Sequence, residues 1–347
     1  MVKRISYNEL KKFSFKILLK SGIKNNIAKI VSEGLCQTSL RGVDSHGIRL
    51  LEHYSKSALQ GRKNPNPNIK IRYPFTSVCS IDADHTYGHY AGILAVKEGI
   101  KISKKHGISM ISVYNSTHCG SLAFSALYGA NKGYIVLGFT HADSMMLAHN
   151  SKDSFFGTNP ICFSAPRVNE EPFCLDMATT HISWNKLLKQ RKENKNFQEK
   201  ILADSLGNLT GDVFKANSLV PIGHYKGFGL ATMIEILCGV YSGMNVAQNI
   251  PSMFTTSLNK KRKLSQFYLV LRTDGVISKK KFSKDLTKMS KRIRCLRPKA
   301  KKKVLVANDP EILKSKNRLK YGIPINSEIT NQFKRLSNKF EIKVKYQ

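Results

Sequence analysis

The sequence has no hydrophobic run long enough to cross a membrane as a helix. Its most apolar stretch, residues 227–244, is short for a membrane span and contains Glu235. The first residues also lack the apolar segment that a secretory signal peptide requires. We therefore interpret residues 227–244 as a buried helix and expect a protein that does not contact membranes.

Cysteines are few, and their spacing does not suggest pairing. The seven cysteines lie at positions 36, 79, 119, 162, 174, 238 and 295, and no two of them have C-x-x-C spacing. The histidines show neither H-x-x-H nor H-E-x-x-H spacing. These absences argue against a disulfide framework and against a bound metal. We expect a cytoplasmic protein whose cysteines act as small buried hydrophobic residues.

Acidic residues are scarce, because 23 Asp and Glu stand against 57 Lys and Arg, for a net charge of +34. An electrostatic field as positive as this attracts nucleic acids. The lysines are spread along the chain, although residues 257–303 hold 18 Lys or Arg against two aspartates. That stretch carries no RNP-like, zinc-finger or helix-turn-helix pattern. We expect a solvated basic face, and nucleic-acid binding through residues 257–303 remains an alternative.

Glycine-rich phosphate-binding loops are missing as well, since there is no G-x-G-x-x-G, no P-loop and no G-x-S-x-G. The hydrophobic pattern predicts helices up to about residue 75, beginning with the capping box "SYNE" at residues 6–9. Strands and helices mix in the centre, and two helices close the chain. We predict an α+β protein in which residues 1–75 and 304–347 form a helical domain and residues 76–303 a mixed domain.

Five short motifs contain side chains that could do chemistry. They are His46 with Ser45 in "GVDSHGI", His118 in "NSTHCGS", Asp143 in "THADS", Asp176 in "CLDMATT" and Lys226 in "HYKGFG". Asp44 and Ser45 are typical N-cap residues, so we expect a helix to begin there, with His46 in a first turn that disfavours imidazolium. Taken singly, each residue also has an ordinary structural explanation as a helix cap, a buried histidine or a solvated lysine.

Together the motifs resemble those of one family. "RGVDSHGI", "NSTHCGS", "FGTNPI", "DMATT", "KGFGLATMIEILCGVYSG" and "RLKYGI" occur in the order and approximate spacing of the malate/L-lactate dehydrogenase type-2 family, from about residue 5 to about residue 340. The resemblance implies NAD- or NADP-dependent interconversion of a small 2-hydroxy acid and its 2-oxo acid. It also implies a homodimer and a nucleotide-binding domain, here residues 76–303, built on a non-Rossmann, mostly antiparallel sheet flanked by helices.

The resemblance also assigns roles to individual residues. His46 matches the proton donor and acceptor, Ser45 and Asp176 match its relay partners, and His118 matches a second histidine that is the acid/base in some relatives. Such a proton must move together with the hydride that the cofactor exchanges. The substrate-binding positions are Arg49, Tyr54 and Asp143. The cofactor-binding positions are Thr158, Asp176, Met177, Ala178, Thr179, Tyr225, Lys226 and Asn308.

Two departures from the family pattern, the displaced arginine and Asn185, together with the strong basic charge, keep a second interpretation open. Relatives commonly carry an arginine four residues after the histidine, where this chain has Leu50, with Arg49 one place earlier. One helical residue turns a side chain by about 100°. Asn185 replaces a common glycine, and Asn308 stands in a turn that usually holds glycine, although asparagine tolerates left-handed backbone. The alternative is a catalytically impaired member that binds a nucleotide or an anion.

Overall fold

The computed structural model describes residues 3–300 and 302–347. Its strands are β1 (Lys3–Ile5), β2 (Lys70–Phe75), β3 (Val78–Asp82), β4 (Ile108–Ser116), β5 (Tyr134–Thr140), β6 (Met146–Leu147), β7 (Ser154–Phe156), β8 (Ile161–Ala165), β9 (Phe173–Met177), β10 (Leu202–Ala203), β11 (Leu209–Thr210), β12 (Ser218–Leu219), β13 (Leu264–Arg272) and β14 (Ile323–Ile325). Its helices are α1 (Tyr7–Lys20), α2 (Asn25–Leu40), α3 (Leu51–Leu59), α4 (Gly88–His106), α5 (Ala123–Ala130), α6 (Trp184–Lys192), α7 (Tyr225–Glu235), α8 (Lys279–Arg294), α9 (Asp309–Tyr321) and α10 (Ser327–Phe340).

Helices from the two ends of the chain pack together in one layer. β1 pairs antiparallel with β14, and α1 packs on α2, α3 and α10 around a shared apolar core that includes Leu10, Leu35 and Phe333. The N-cap half of the predicted capping box is confirmed, because the Ser6 hydroxyl accepts a hydrogen bond from the Glu9 backbone N–H and α1 begins at Tyr7. Each of these helices buries one apolar face against its neighbours.

The centre of the molecule is a seven-stranded sheet with the order β2-β3-β4-β13-β5-β8-β9. All neighbours are antiparallel except β3 and β4, which α4 connects as a parallel pair. A smaller sheet has the order β11-β10-β12-β6-β7. The mostly antiparallel, non-Rossmann α+β architecture is therefore confirmed. β9 is an edge strand of the large sheet, so one side of its backbone is free for another partner.

Two local predictions are wrong. No helix begins at Asp44, because a 3-10 turn starts at Ile48 and α3 at Leu51. Asp44 instead accepts hydrogen bonds from the Arg318 guanidinium of α9, which removes it from capping. Residues 227–244 are not one buried helix either. α7 gives way to a π-helical turn after Glu235, and several apolar side chains are exposed, with Val240 65% accessible.

Other predictions concern boundaries and composition. The domain division stays a prediction, although β2 lies before residue 76 and already belongs to the large sheet. Six of the seven cysteines are buried free thiols, whereas Cys295 is exposed, contrary to expectation. No helix within the described ranges is long and apolar enough to span a membrane. Within the same ranges, no group of three or more His, Cys, Asp or Glu side chains is placed to hold a metal ion.

Candidate active site

His46 and His118 meet at one cavity of about 430 Å³. Their rings stack with centroids 5.5 Å apart and planes inclined by 16°. His46 follows α2 in the turn that leads into α3, and His118 follows β4. The sequence placed these two histidines more than 70 positions apart, and the packing of α2 on α4 and the sheet brings them together.

His46 is held by its sequence neighbour. The Ser45 hydroxyl lies 2.8 Å from His46 Nδ1, so this nitrogen has a hydrogen-bond partner and Nε2 is left for another. Burial, with an additional contribution from the nearby Arg49 charge, lowers the pKa of His46 to about 4. His46 is therefore neutral at pH 7 for reasons of desolvation and charge, and not because of a helix N-terminus.

His118 is held from behind by Tyr54. The Tyr54 hydroxyl lies 2.8 Å from His118 Nδ1, and the Gly120 backbone N–H donates to the same nitrogen over 3.3 Å. Burial lowers the pKa of His118 well below its usual value, and His46 adds to the effect. The two rings therefore disfavour protonation of each other, as expected for closely coupled bases. Tyr54 is fully buried and faces the cavity only through His118, so it is not positioned to touch a substrate.

Arg262 is a site residue that the sequence did not indicate, because it lies within the basic run "KKRK". Its buried guanidinium lines the cavity, donates to the Pro251 carbonyl over 2.7 Å and pairs with Asp143. The Asp143 carboxylate also accepts from the Met253 backbone N–H. Asp143 thus faces the cavity as predicted, but it is already bound to an arginine.

A second buried arginine, Arg62, binds the segment that follows Pro251, which Arg262 also contacts. Arg62 donates to the carbonyls of Met253, Thr256 and Ser257, which belong to the segment after Pro251. Ser252, Met253, Phe254 and Thr255 of this segment line the cavity. Two guanidinium groups therefore fix one wall of the site, since each can donate several hydrogen bonds to backbone carbonyls in a fixed plane.

A buried carboxylate network lies behind residues that line the cavity and explains two of the sequence motifs. Glu235, from the apolar run, accepts hydrogen bonds from the Asn159 side chain and the Ala247 backbone N–H, and its carboxylate lies 3.4 Å from His141. Asn159 belongs to "GTNP", and its side chain also bonds to Ala231 and Ala142. These motifs hold together strand ends that carry cavity residues, so part of the family pattern is structural.

Asp176 does not reach His46. Its carboxylate accepts hydrogen bonds from the Ser121 hydroxyl over 2.6 Å and the Ala123 backbone N–H over 2.8 Å. The expected relay to His46 is therefore wrong, since β9 places Asp176 beside the start of α5. There it lines a second cavity, of about 380 Å³, together with Asn308. Asn308 adopts the expected left-handed conformation, with φ of 82°, just before α9.

The remaining predicted residues differ in their burial and in whether they line a cavity. Thr158 lines the first cavity, and its carbonyl accepts hydrogen bonds from Thr179. Tyr225 and Lys226 are exposed in the first turn of α7, and neither lines the two cavities. Arg49 lies near His46 without lining the cavity. Met177 and Ala178 are half-buried where β9 ends.

Asn185 links the site to α6. Its side-chain NH₂ donates to the Ser45 carbonyl over 3.3 Å, and its Oδ1 is buried without a hydrogen-bond partner among the described residues. The residue that replaces the common glycine is thus in direct contact with the segment that carries His46, and it lines the same cavity.

Comparison with known proteins identifies the family of the chain. A family model described as malate/L-lactate dehydrogenase matches residues 5–334. The chain is similar to malate dehydrogenase of Pyrococcus abyssi, with 29% identity over 98% of this chain and 96% of the relative. It is also similar to ureidoglycolate dehydrogenase (NAD(+)) of Escherichia coli, with 28% identity over 81% of this chain and 80% of the relative.

Solved structures show the same fold. Sulfolactate dehydrogenase from Methanocaldococcus jannaschii superposes with a TM-score of 0.91 and 26% identity, covering 99% of this chain and 98% of that one. Malate dehydrogenase from Entamoeba histolytica shares the fold with a TM-score of 0.93 at 24% identity, covering 99% of both chains. The chain belongs to the malate/L-lactate dehydrogenase family of oxidoreductases.

Proposed function

We propose that the chain interconverts a small 2-hydroxy acid and its 2-oxo acid with NAD or NADP, and that the His46–His118 pair handles the substrate proton. The observation that carries this proposal is the stacked histidine pair at a cavity that also contains Arg262. One neutral base, a hydrogen-bond donor and a guanidinium suit the oxidation of a hydroxyl group beside a carboxylate.

In the oxidation direction, His46 accepts the hydroxyl proton through Nε2, because its Nδ1 bonds to Ser45 and can carry the proton of the neutral ring. His118 Nδ1 accepts from the Gly120 backbone N–H, so its Nε2 carries a proton and donates a hydrogen bond to the substrate oxygen. The lowered pKa of His46 keeps its ring neutral and free to accept a proton at pH 7. The bound nicotinamide supplies the chemistry of hydride acceptance. In the reduction direction, the same histidine returns the proton to the carbonyl oxygen.

Arg262 is the proposed partner of the substrate carboxylate. One edge of its guanidinium is committed to Pro251 and Asp143, which fixes the plane of the group within the cavity wall. A rigid guanidinium binds a carboxylate with good geometry at low entropic cost. Arg49, which the sequence suggested for this role, does not line the cavity.

The residues around Asp176 fit a dinucleotide. β9 exposes an unpaired strand edge, and the second cavity along it is bounded by the turn at Asn308 that begins α9. Free backbone N–H groups at a strand edge or a helix N-terminus are suited to phosphate and carboxamide oxygens. We assign Asp176, Met177, Ala178, Thr179 and Asn308 to cofactor binding. We also assign Thr158, Tyr225 and Lys226 to cofactor binding, on the resemblance of their motifs alone, since none of them lines the second cavity.

The test follows the absorbance of the reduced nicotinamide, which falls as the nucleotide is oxidised. Purified protein is mixed with NADH or NADPH and a panel of 2-oxo acids: oxaloacetate, pyruvate, oxalurate, sulfopyruvate and diketogulonate. Turnover with one acid, lost in a folded His118→Gln or His46→Gln variant, supports the proposal. If the folded protein neither binds nor oxidises NADH or NADPH, the proposal is contradicted and an impaired family member is favoured.

We further propose a cytoplasmic homodimer. Met233, Ile236, Val240 and Tyr241 are all more than a third exposed on α7 and the turn after it, which leaves an apolar face without cover in the single chain. Contiguous exposed apolar patches are typical of association surfaces. Sedimentation analysis measures the mass directly, and a monomer at micromolar concentration contradicts this assignment.

A further inference from the structure

Lys63 is buried behind the active site without a conventional partner. The residue is 2% exposed, and its Nζ has no hydrogen-bond partner among the described residues. The Nζ instead lies 3.4 Å from the centre of the Tyr54 ring and 4.6 Å from that of Tyr87. An amine so enclosed is costly to bury, so a favourable interaction with the two ring faces is needed to offset the lost hydration.

Tyr54 connects this amine to the site. Its hydroxyl bonds to His118 Nδ1, and burial raises the pKa of Tyr54 well above 10, so the phenol keeps its proton and can donate. Because the Gly120 backbone N–H also points at Nδ1, this nitrogen accepts. A positive charge over a phenol ring draws electron density from its oxygen and makes the hydroxyl a stronger donor.

We infer that Lys63 is a positioning residue for His118: its amine, held against the Tyr54 ring, strengthens the Tyr54 hydroxyl as a donor to Nδ1 and thereby keeps protons off that nitrogen. His118 then presents one fixed tautomer to the cavity. The inference rests on the proposed function only in placing the Nε2–H of His118 at the substrate oxygen.

The effect depends on the charge of Lys63, which its surroundings make labile. Burial lowers the pKa of the amine well below its usual value, and Arg262 and Arg62 act in the same direction. The charge of Lys63 in turn lowers the pKa of His118. The groups that face the amine or sense its charge are Tyr54, Tyr87, His53, His89, His118, Cys119, Arg62 and Arg262.

The test follows the ring nitrogens of His118 by NMR in ligand-free protein labelled with ¹⁵N-histidine, with His118→Gln for assignment. In Lys63→Met, we expect the midpoint of His118 protonation to rise by about one pH unit, a tenfold change in proton affinity. Lys63→Arg, which keeps a cation, should stay near the parent. Lys70→Met, on the exposed strand β2, is the matched control. An unchanged midpoint in folded Lys63→Met overturns the inference.

If Lys63→Met does not fold, a titration of the unaltered protein tests the inference instead. With ¹⁵N-lysine labelling, the His118 signals must shift with the same midpoint as the Lys63 amine, and independent titrations overturn the inference. Turnover is measured separately. In an active enzyme, Lys63→Met should move the acidic limb of the kcat/KM profile upward by the same unit. If Lys63 and His118 titrate together but the protein oxidises no 2-hydroxy acid, the inference about Lys63 is supported and the proposed function is contradicted.

Discussion

The ring of His46 lies nearly parallel to that of His118, 5.5 Å away, and a charge on His46 lowers the pKa of His118. Their Nδ1 atoms bond to different hydroxyl groups, Ser45 for one and Tyr54 for the other. Because the pKa values of both rings are lowered, both are uncharged at pH 7 and the pair can act as a base there.

The two histidines should differ in their contribution to turnover. Replacing the residue that exchanges the substrate proton by glutamine should lower kcat by about 10²- to 10⁴-fold. Replacing its neighbour should mainly shift the pH profile, because one source of repulsion is gone. Steady-state kinetics of His46→Gln and His118→Gln across pH 5–9 distinguish the roles. Equal and small losses would mean that neither ring transfers the proton.

Arg262 should control substrate affinity. Arg262→Met removes the guanidinium and leaves Asp143 unpaired in the cavity wall, so KM for the 2-oxo acid should rise by at least about tenfold, with a smaller change in the affinity for the nucleotide. Double replacement of Arg262 and Asp143 by Met and Asn separates lost substrate contact from an unpaired carboxylate. Lys260→Met, in the exposed part of the same basic run, should change nothing. An unaltered KM in folded Arg262→Met would contradict the assignment.

Asp176 should affect the nucleotide rather than the proton. Asp176→Ala removes the acceptor for Ser121 and Ala123 at the edge of the second cavity. We expect the dissociation constant for the reduced nucleotide to rise by about tenfold, while the pH profile of residual turnover keeps its shape. Fluorescence titration measures the first and steady-state kinetics the second. A shifted profile with unchanged affinity would restore Asp176 to the histidine relay.

The carboxylate of Glu235 should be essential for stability. Glu235→Ala leaves Asn159, His141 and the Ala247 N–H without their buried partner, which should lower the free energy of unfolding by about 3 kcal/mol or more. Urea unfolding of this variant beside exposed Glu199→Ala measures the difference. A loss below about 1 kcal/mol would show that water or neighbouring groups satisfy the network.

Buried histidines should make the fold sensitive to acid. Burial lowers the pKa of His46 to about 4 and those of His53 and His89 to about 3, below the unfolded value near 6.5. Because the unfolded chain takes up these protons first, stability is fully present above about pH 6.5 and falls progressively as the pH drops towards 4. Denaturant unfolding at several pH values measures the slope.

His89 allows one contribution to the pH dependence of the unfolding free energy to be measured by itself. Neither of its ring nitrogens has a hydrogen-bond partner within the described ranges. His89→Gln should flatten the dependence of the free energy of unfolding on pH. A variant whose slope equals that of the parent would show that His89 does not stay neutral in the folded protein.

Much of the local structure was accessible from the sequence. The capping box at Ser6, the helix that ends at Gly107 and the apolar strand β13 follow from side-chain chemistry within a few positions, which is where cap and period rules apply. The start of a helix at Asp44 was mispredicted because Arg318, which lies far along the chain, binds the carboxylate that would otherwise cap.

The order of motifs, which the sequence carries by itself, determined the family and the two histidines. Only the tertiary structure decided which partners they have. Tyr54 and not Asp176 bonds to a catalytic candidate, Arg262 leaves its basic run to enter the cavity, and Lys63 is enclosed by two aromatic rings. Such contacts join residues that are distant in the chain, and their energies depend on burial and orientation, which no local pattern encodes.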